Sequence, residues 1–351
     1  MISIQTITRF GQYFGFFGAL VFNTIVLTLN YYNAPTSFGT YRYLINAFSI
    51  YGIVYGCIEI LTLPIMLLED VKNEAANQIY FFFFQIFHTS GAGILVIVDS
   101  VFRTNLIIGM KIISLYCACF CFSLCILSTH FIYRSFSVCR PECLAAFSPR
   151  YLWLWLVGCA SLSIMWGCIC YFFCGPDDVK NKYFGQRIIV YYNIEMNETA
   201  YIGPLYYTHN PHDGTRAYRW SEIIATACTY IIISITLKII FFCGYKTHRK
   251  LFRLSGIMSN KSSDINIQLL KTLMWQTAVP MLTIYIPIAF FYFFPLFEID
   301  LGAWMSAVGF GTSLYPALDP FIAIFMIKPF RDAILCRKNR VSYDVGSATI
   351  T

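Results

Sequence analysis

The sequence contains few charged residues. Only 12% of its 351 residues are charged, whereas 58% are hydrophobic and 18% are aromatic. A soluble domain carries about 25% charged residues, so this chain has too little polar surface to cover a globule in water. The scarcity of charge excludes a cytosolic enzyme, a nucleic-acid-binding protein and a disordered chain. The net charge of +7 agrees with this, because the basic residues lie between apolar runs, as they do in membrane proteins.

The sequence also lacks the motifs of common enzymes. It has no nucleotide-binding loop, no zinc-protease motif, no nucleophile elbow and no pair of catalytic carboxylates. The imidazoles of His209 and His212 are three residues apart, but they lie in a polar loop beside Pro211 and Asp213. This composition predicts a solvated turn rather than a metal site. We therefore expect neither catalytic activity nor a cofactor.

An extracellular disulfide framework is missing as well, although the chain has 14 cysteines. Most of them lie inside apolar runs, and only Cys174 lies at the edge of an expected outer loop. The thiols between Cys117 and Cys121 are spread around a helix instead of sharing one face. Small residues allow close helix packing in lipid, and a free cysteine behaves as a small hydrophobic residue. The pattern favours helix packing over metal binding.

Seven apolar runs are long enough to cross a bilayer core of about 30 Å. Backbone groups in lipid must satisfy their own hydrogen bonds, so each run is expected to be a helix. The sequence therefore predicts an all-α membrane protein, a seven-transmembrane helix bundle with a short tail at 328–351. The expected spans are 10–29, 44–68, 106–133, 151–174, 223–243, 272–297 and 301–327.

The basic residues indicate the orientation of these spans. With the N-terminus outside and the C-terminus cytoplasmic, 15 basic residues lie on the cytoplasmic side and 9 on the outer side, as the positive-inside rule requires. However, Ile79–Val98 adds another 20 residues without a charge. An eight-span arrangement gives 16 and 8, so hydropathy and charge leave both arrangements open. The sequon at Asn197 lies outside in both and predicts glycosylation, whereas the sequon at Asn260 lies on the cytoplasmic side.

Ionisable groups and prolines inside the spans mark candidate functional positions. A buried charge is costly in lipid, so Glu59 is expected to be neutral or paired, in a structural or a signalling role. Prolines interrupt helical hydrogen bonds, and they are expected to kink the sixth and seventh spans. Together with Arg134 and Asp319 near the inner ends, these kinks favour a switch between two helix arrangements. The prolines are Pro280, Pro287, Pro316 and Pro320.

An ordered set of short motifs carries a family resemblance along nearly the whole chain. The sequence resembles the nematode seven-transmembrane chemoreceptors of the serpentine str class, a group that includes odorant receptors. The resemblance implies seven spans with the N-terminus outside. The motifs are Gly39–Leu44, Glu59–Met66, Leu115–Cys119, His130–Arg134, Trp166, Phe242–Tyr245, Gln276–Pro280, Tyr285–Pro287, Leu314–Pro320 and Phe330–Arg331.

The resemblance implies a G-protein-coupled receptor in the plasma membrane of the cilia of chemosensory neurons. By analogy with rhodopsin-like receptors, His130–Arg134 takes the place of the inner-end arginine motif. Asp319 and Pro320 take the place of the proline switch in the seventh helix. The chain departs from those receptors because it lacks an acid before Arg134 and a cysteine pair that ties the third span to the second outer loop.

The expected mechanism begins with a small odorant or soluble chemical cue in an apolar cavity between the outer halves of the spans. The candidate ligand contacts are Tyr116, Tyr285, Phe290, Tyr292, Trp304 and Glu59, although aromatic residues at these depths also suit a lipid-facing belt. The expected G-protein contacts are Arg134, Lys246, Arg249, Lys250 and Arg253, a basic set that also attracts anionic lipid. A ligand-gated channel or a secondary transporter is the alternative, but no span has a polar pore-lining face and no internal repeat is present.

One segment has two interpretations. The resemblance breaks between Asp70 and Ile86, and residues 71–85 can be encoded by a short nematode intron. Val71-Lys72 is compatible with an intron start, and Tyr80–Gln85 with a T-rich tract that ends in an acceptor site. The segment is therefore either a translated intron or a genuine apolar outer loop. Sequencing the transcript across this junction separates the two interpretations.

Overall fold

A computed structural model describes residues 4–34, 38–62, 86–97, 105–192, 194–210, 212–255, 261–299 and 306–336. Residues 71–85, Trp304 and the tail beyond residue 336 lie outside these ranges. The described α-helices are α1 (Ile4–Tyr32), α2 (Tyr41–Thr62), α3 (Leu106–Cys139), α4 (Pro149–Phe173), α5 (Asp178–Tyr192), α6 (Trp220–Ser255), α7 (Lys261–Pro280), α8 (Ile286–Phe293), α9 (Ser306–Met326) and α10 (Lys328–Ile334).

Each of the seven expected spans contains helix in its described part. By length and apolarity alone, four of the described helices could each cross a membrane, namely α1, α3, α4 and α6. Local signals set two of their starts, since the Asn105 side chain accepts a hydrogen bond from the Ile108 amide at 3.1 Å and Pro149 opens α4. α6 has 36 residues, or about 54 Å at 1.5 Å per residue. It therefore extends well beyond a bilayer core.

α1 packs closely against α9. A Cβ atom on Gly15 would lie 2.1 Å from the carbonyl oxygen of Ser313, so only glycine allows this approach. Pro320 has no amide hydrogen to donate to the Pro316 carbonyl one turn earlier. The Asn23 amide of α1 donates to that carbonyl instead, at 3.0 Å. Gly15 thus serves packing within the molecule, and the Pro316 carbonyl of α9 is tied to α1.

The sixth span is not a continuous α-helix. α7 ends at Pro280, a π-helical turn covers Met281–Tyr285, and α8 follows with Pro287 near its start. A short 3-10 helix continues to Phe297. Because each proline removes a backbone donor, the hydrogen bonding changes register at these positions. After α9, α10 turns away by 89°.

A small β-sheet covers one end of the bundle. Strands β1 (Ile86–Ser90) and β2 (Gly93–Ile97) form an antiparallel hairpin, and β3 (Tyr201–Ile202) pairs with β2. We call this sheet and α5 the lid, and the end of the bundle that carries it the lid end. Residues 86–97 do not form the eighth spanning helix that hydropathy left open, since an open sheet cannot satisfy its edges in lipid.

The lid is joined to the bundle by polar contacts instead of a disulfide bond. All 14 cysteines lie in the described part of the chain and all are free. Lys180 Nζ donates to the carbonyl oxygen of Gly175 at 2.6 Å and lies 3.3 Å from the Glu222 carboxylate. Arg219 bridges Glu222 and Asp177. Lys180 and Glu222 are each 1% exposed, so this ionic cluster fixes the start of α5 against the first turn of α6.

Candidate functional site

A small cavity of about 50 Å³ lies beneath the lid, inside the lid half of the bundle. Residues from four helices and from strand β2 line it, so it is the point at which the lid and the spans meet. Most of its wall is aromatic or aliphatic, and Tyr116, Tyr292 and Thr312 carry hydroxyl groups. The lining residues are Val96, Tyr116, Cys117, Phe120, Trp166, Ile288, Phe291, Tyr292 and Thr312.

A buried polar group adjoins this cavity between α2, α3 and α9. Glu59 of α2 is 3% exposed, and its carboxyl group pairs with the Ser313 hydroxyl of α9. Tyr116 lies beside Thr312 and Tyr55, and the rings of Tyr55 and Tyr116 are 5.8 Å apart. The cavity wall is therefore continuous with a polar contact between α2 and α9.

The expected ligand contacts divide into distinct groups in the structure. Tyr116 and Tyr292 line the cavity, and Glu59 adjoins it. Tyr285 is buried one helical layer deeper, with its ring 6.4 Å from that of Phe120. Phe290 is 47% exposed on the outer face of α8, because it lies about 200° around the helix from Tyr292. Of the two roles expected for Phe290, its exposed position fits the lipid-facing belt and not the cavity wall.

Several cavity residues were not expected to bind ligand. Phe120 follows Tyr116 by four residues and Ile288 precedes Tyr292 by four, so helical periodicity predicts that each pair shares a face. Val96 is different, because its position depends on the pairing of β2 with β3, and no local pattern indicates it.

A second hairpin links the lid end to the end of the sixth span. Strands β4 (Tyr207–His209) and β5 (Arg216–Tyr218) pair in antiparallel fashion. His209 Nε2 lies 2.7 Å from the Glu298 carboxylate, and this hydrogen bond raises the pKa of His209 and lowers the pKa of Glu298. With Glu298 ionised, His209 is therefore fully protonated and paired below the ordinary histidine pKa of about 6.5. The ion pair is lost as the pH rises through the raised pKa of His209, because the imidazole then loses its proton. His209 therefore joins the β4–β5 hairpin to the end of the sixth span, a contact that the sequence around His209 did not predict.

At the opposite end of the bundle, Arg134 lies inside the protein and not on its surface. It is 3% exposed, and its guanidinium carbon lies 3.7 Å from the centre of the Tyr41 ring and 5.5 Å from that of Tyr133. We call this end, where α2 begins and α3 ends, the basic end. In this arrangement a partner protein cannot contact Arg134 without a movement that exposes it.

Asp319 occupies a buried position between the cavity and the basic end. It is 3% exposed, and neither carboxyl oxygen has a hydrogen-bond partner among the described residues. Its backbone carbonyl accepts a hydrogen bond from the Gln276 side chain of α7 at 3.1 Å. Pro280 and Pro320 flank this contact on their respective helices, so the two kinked spans are joined here.

The basic residues of α6 lie on its extension at the basic end. Arg249, Lys250 and Arg253 are exposed, and Lys246 is half-buried, with Nζ 6.0 Å from the centre of the Phe242 ring. The backbone oxygen of Lys246 also accepts a long contact from the Cys139 thiol at 3.8 Å. This positively charged extension therefore starts beside the end of α3 and faces solvent beyond it.

Comparisons with known proteins agree along nearly the whole chain. The family described as "Serpentine type 7TM GPCR chemoreceptor Str" matches residues 8–73 and 77–335. The chain is 30% identical to "Serpentine receptor class r-10" of Caenorhabditis briggsae, over 93% of this chain and 90% of that protein. It is 24% identical to "G-protein coupled receptor str-33" of Caenorhabditis elegans, over 95% and 91%. Squid rhodopsin has a similar fold, with a TM-score of 0.53, 14% identity and coverage of 95% of this chain and 80% of that one.

The kinked bundle has a rhodopsin-like fold, and the family match defines the chain as a multi-pass membrane receptor of the seven-transmembrane class. The chain belongs to the serpentine Str family of G-protein-coupled chemoreceptors. These receptors are not enzymes, which confirms the expectation, drawn from the missing enzyme motifs, that the chain has no catalytic activity. The seven-transmembrane bundle predicted from hydropathy and motifs is likewise confirmed.

Proposed function

We propose that this receptor binds a small, uncharged odorant or soluble chemical cue in the cavity beneath the lid and activates a heterotrimeric G protein. The observation that carries this proposal is the cavity of about 50 Å³ between α3, α4, α8, α9 and the lid. A ligand at this point contacts α3, α4, α8, α9 and strand β2, and activation would require these helices to move relative to one another. The family supports a chemoreceptor in general, and the cavity indicates the kind of ligand.

The size and wall of the cavity limit the ligand. A water molecule has a share of about 30 Å³ in the liquid, and an apolar cavity of about 150 Å³ can hold benzene. A space of about 50 Å³ therefore suits a compact molecule with few heavy atoms, or one that expands the cavity slightly. The hydroxyl groups of Tyr116 and Thr312 can hydrogen-bond to it, and the aromatic wall favours an uncharged molecule.

Signal transfer requires that the ligand bind one helix arrangement more tightly than the other. The π-helical turn between Pro280 and Pro287 lies directly below the α8 residues that line the cavity. A change in α8 can therefore reach Gln276 and Asp319, and from there the basic end. Exposure of Arg134 would complete a surface that includes Lys246, Arg249, Lys250 and Arg253. The same residues can attract anionic lipid.

We infer that the lid end is extracellular and that the basic end is cytoplasmic, as the positive-inside rule favours, in a ciliary membrane as the family resemblance implies. Asn197 is exposed at the lid end, between α5 and β3. Asn197→Gln should therefore remove a glycan and increase gel mobility, whereas Asn260→Gln should leave mobility unchanged.

A tag after Thr351 should be stained only in permeabilised cells, and staining of intact cells would contradict the orientation.

The test of receptor function is the nucleotide sensitivity of ligand binding. In membranes that contain the receptor and a G protein, an excess of a non-hydrolysable GTP analogue should lower the affinity of an agonist found by screening volatile and soluble compounds. The reason is reciprocal coupling, since a nucleotide that releases the G protein must weaken the ligand that favours it. A channel or a transporter would show the same agonist affinity with and without the analogue.

A further inference from the structure

We propose that Tyr41 is a positioning residue that holds Arg134 inside the resting receptor through its aromatic face. This inference rests on the proposed function, because it concerns how the signalling end is kept inactive without ligand. We call Tyr41 and Tyr133 the tyrosine clamp. Release of Arg134 from this clamp is the step that would expose the guanidinium group to the G protein.

The geometry is that of a close cation–π contact. The guanidinium carbon of Arg134 lies 3.7 Å from the centre of the Tyr41 ring, and the Tyr133 ring is the second aromatic neighbour at 5.5 Å. Cations within about 6 Å of a ring centre are attracted by its negative face, and the attraction is stronger away from water. Arg134 is 3% exposed and Tyr41 is 4% exposed, so this contact is largely desolvated.

Further contacts fix the orientation of the Tyr41 ring. It stacks on Tyr133 with ring centres 5.0 Å apart and an angle of 28°. Its hydroxyl group lies 3.2 Å from Nδ1 of His130, one helical turn before Arg134. The Tyr133 hydroxyl lies 3.2 Å from the hydroxyl of Thr40. The first turn of α2 and the last turns of α3 therefore hold the ring over the guanidinium group.

The clamp is also joined to the end of the seventh span. The Phe38 ring contacts that of Tyr41 at 6.3 Å and that of Phe330 at 6.0 Å. Phe330 belongs to α10, which follows α9 after the 89° bend, and it is fully buried. A displacement of α9 at Asp319 and Pro320 can therefore reach Tyr41 through Phe38. This path would couple a change in the seventh span to the release of Arg134.

The experiment measures nucleotide exchange by a G protein in membranes without ligand, at matched amounts of receptor. Tyr41→Leu removes the aromatic face and should raise basal exchange about tenfold, a change that corresponds to about 1.4 kcal/mol. Tyr43→Leu is the matched control, because Tyr43 is on the same helix but 46% exposed, and it should match the wild type. The double variant Tyr41→Leu with Arg134→Ala should lose the increase, since no arginine is left to be released.

A series that keeps the shape of the ring separates the electrostatic role from packing. Tyr41→Phe retains the aromatic face and loses only the contacts of the hydroxyl group, among them the one to His130, so its basal exchange should lie closer to the wild type than to Tyr41→Leu. It also provides the parent of a fluorinated series if Tyr41→Leu fails to fold. Fluorinated phenylalanines at position 41 withdraw charge from that face, so basal exchange should rise with the number of fluorine atoms. A purely structural Tyr41 would give no such order.

The outcomes distinguish this inference from the proposed function. If ligand stimulates exchange by the wild type but basal exchange is the same in every Tyr41 variant, the clamp is refuted and the receptor function stands. If the wild type never stimulates exchange with any compound or G protein, the proposed function fails and the clamp with it. An increase that persists in the double variant would show that Tyr41 acts through a group other than Arg134, which also refutes the inference.

Discussion

Arg134→Ala should abolish ligand-induced G-protein activation, while surface expression and the ligand affinity measured with an excess of the GTP analogue stay close to those of the wild type. Tyr116, which lines the cavity, and Arg134 are 18 residues apart on α3, or about 27 Å at 1.5 Å per residue. The arginine therefore cannot contact a ligand in the cavity. Loss of a charged group from a desolvated interface costs about 2 kcal/mol or more, so we expect at least a roughly thirtyfold loss of coupling. Ligand-stimulated nucleotide exchange and binding on the same membranes measure the two effects.

Two further variants define the role of Arg134. Arg134→Lys keeps the charge but loses the planar guanidinium group, and it should retain a weak response. Arg140→Ala is the matched control, because Arg140 caps the end of α3 and is exposed, and its response should be nearly normal. A normal maximal response of Arg134→Ala with a changed apparent ligand affinity would place the residue in ligand binding and contradict the assignment to signalling.

The helical part of the fold could be predicted because its signals are local. Long apolar runs and prolines each act on neighbouring residues, and in lipid the backbone must satisfy its own hydrogen bonds, which favours helix. The hairpin at residues 86–97 could not be recognised by hydropathy, since a short apolar run is equally compatible with a strand and a helix. Ser90-Gly91 was the available signal for a turn, and Gly91 does adopt a positive φ of 54°.

The candidate site was predictable only where it depends on position along one helix. Depth in the span was enough to suggest Tyr116 and Tyr292, but it also suggested Phe290, which helical periodicity would have placed on the opposite face. The ionic cluster at Lys180 and Glu222 could not be predicted, because its residues are 42 positions apart along the chain and were attributed to the outer loop. The contact between Tyr41 and Arg134 likewise depends on how α2 and α3 pack.

Ile288→Trp should eliminate the response to every ligand that binds beneath the lid. Ile288 lines the cavity, and an indole ring at this position would occupy most of its roughly 50 Å³. Small ligands gain at most about 1.5 kcal/mol per non-hydrogen atom. Excluding the equivalent of two such atoms therefore lowers affinity by about 3 kcal/mol, or more than about hundredfold. A concentration–response curve for agonist-stimulated nucleotide exchange measures the loss.

The matched control for this substitution is Ile286→Trp, two residues away on the same helix. Ile286 is 41% exposed on the outer face of α8, so the same increase in size falls outside the cavity and should leave the response within about twofold of the wild type. Overpacking can itself cost about 1–3 kcal/mol, so both variants must reach the surface in comparable amounts and support equal ligand-free exchange. If Ile288→Trp then responds normally to agonist, the ligand does not occupy the cavity beneath the lid. If both variants lose the response equally, α8 is sensitive to bulk on any face, and the ligand site cannot be assigned to the wall formed by Ile288 and Tyr292.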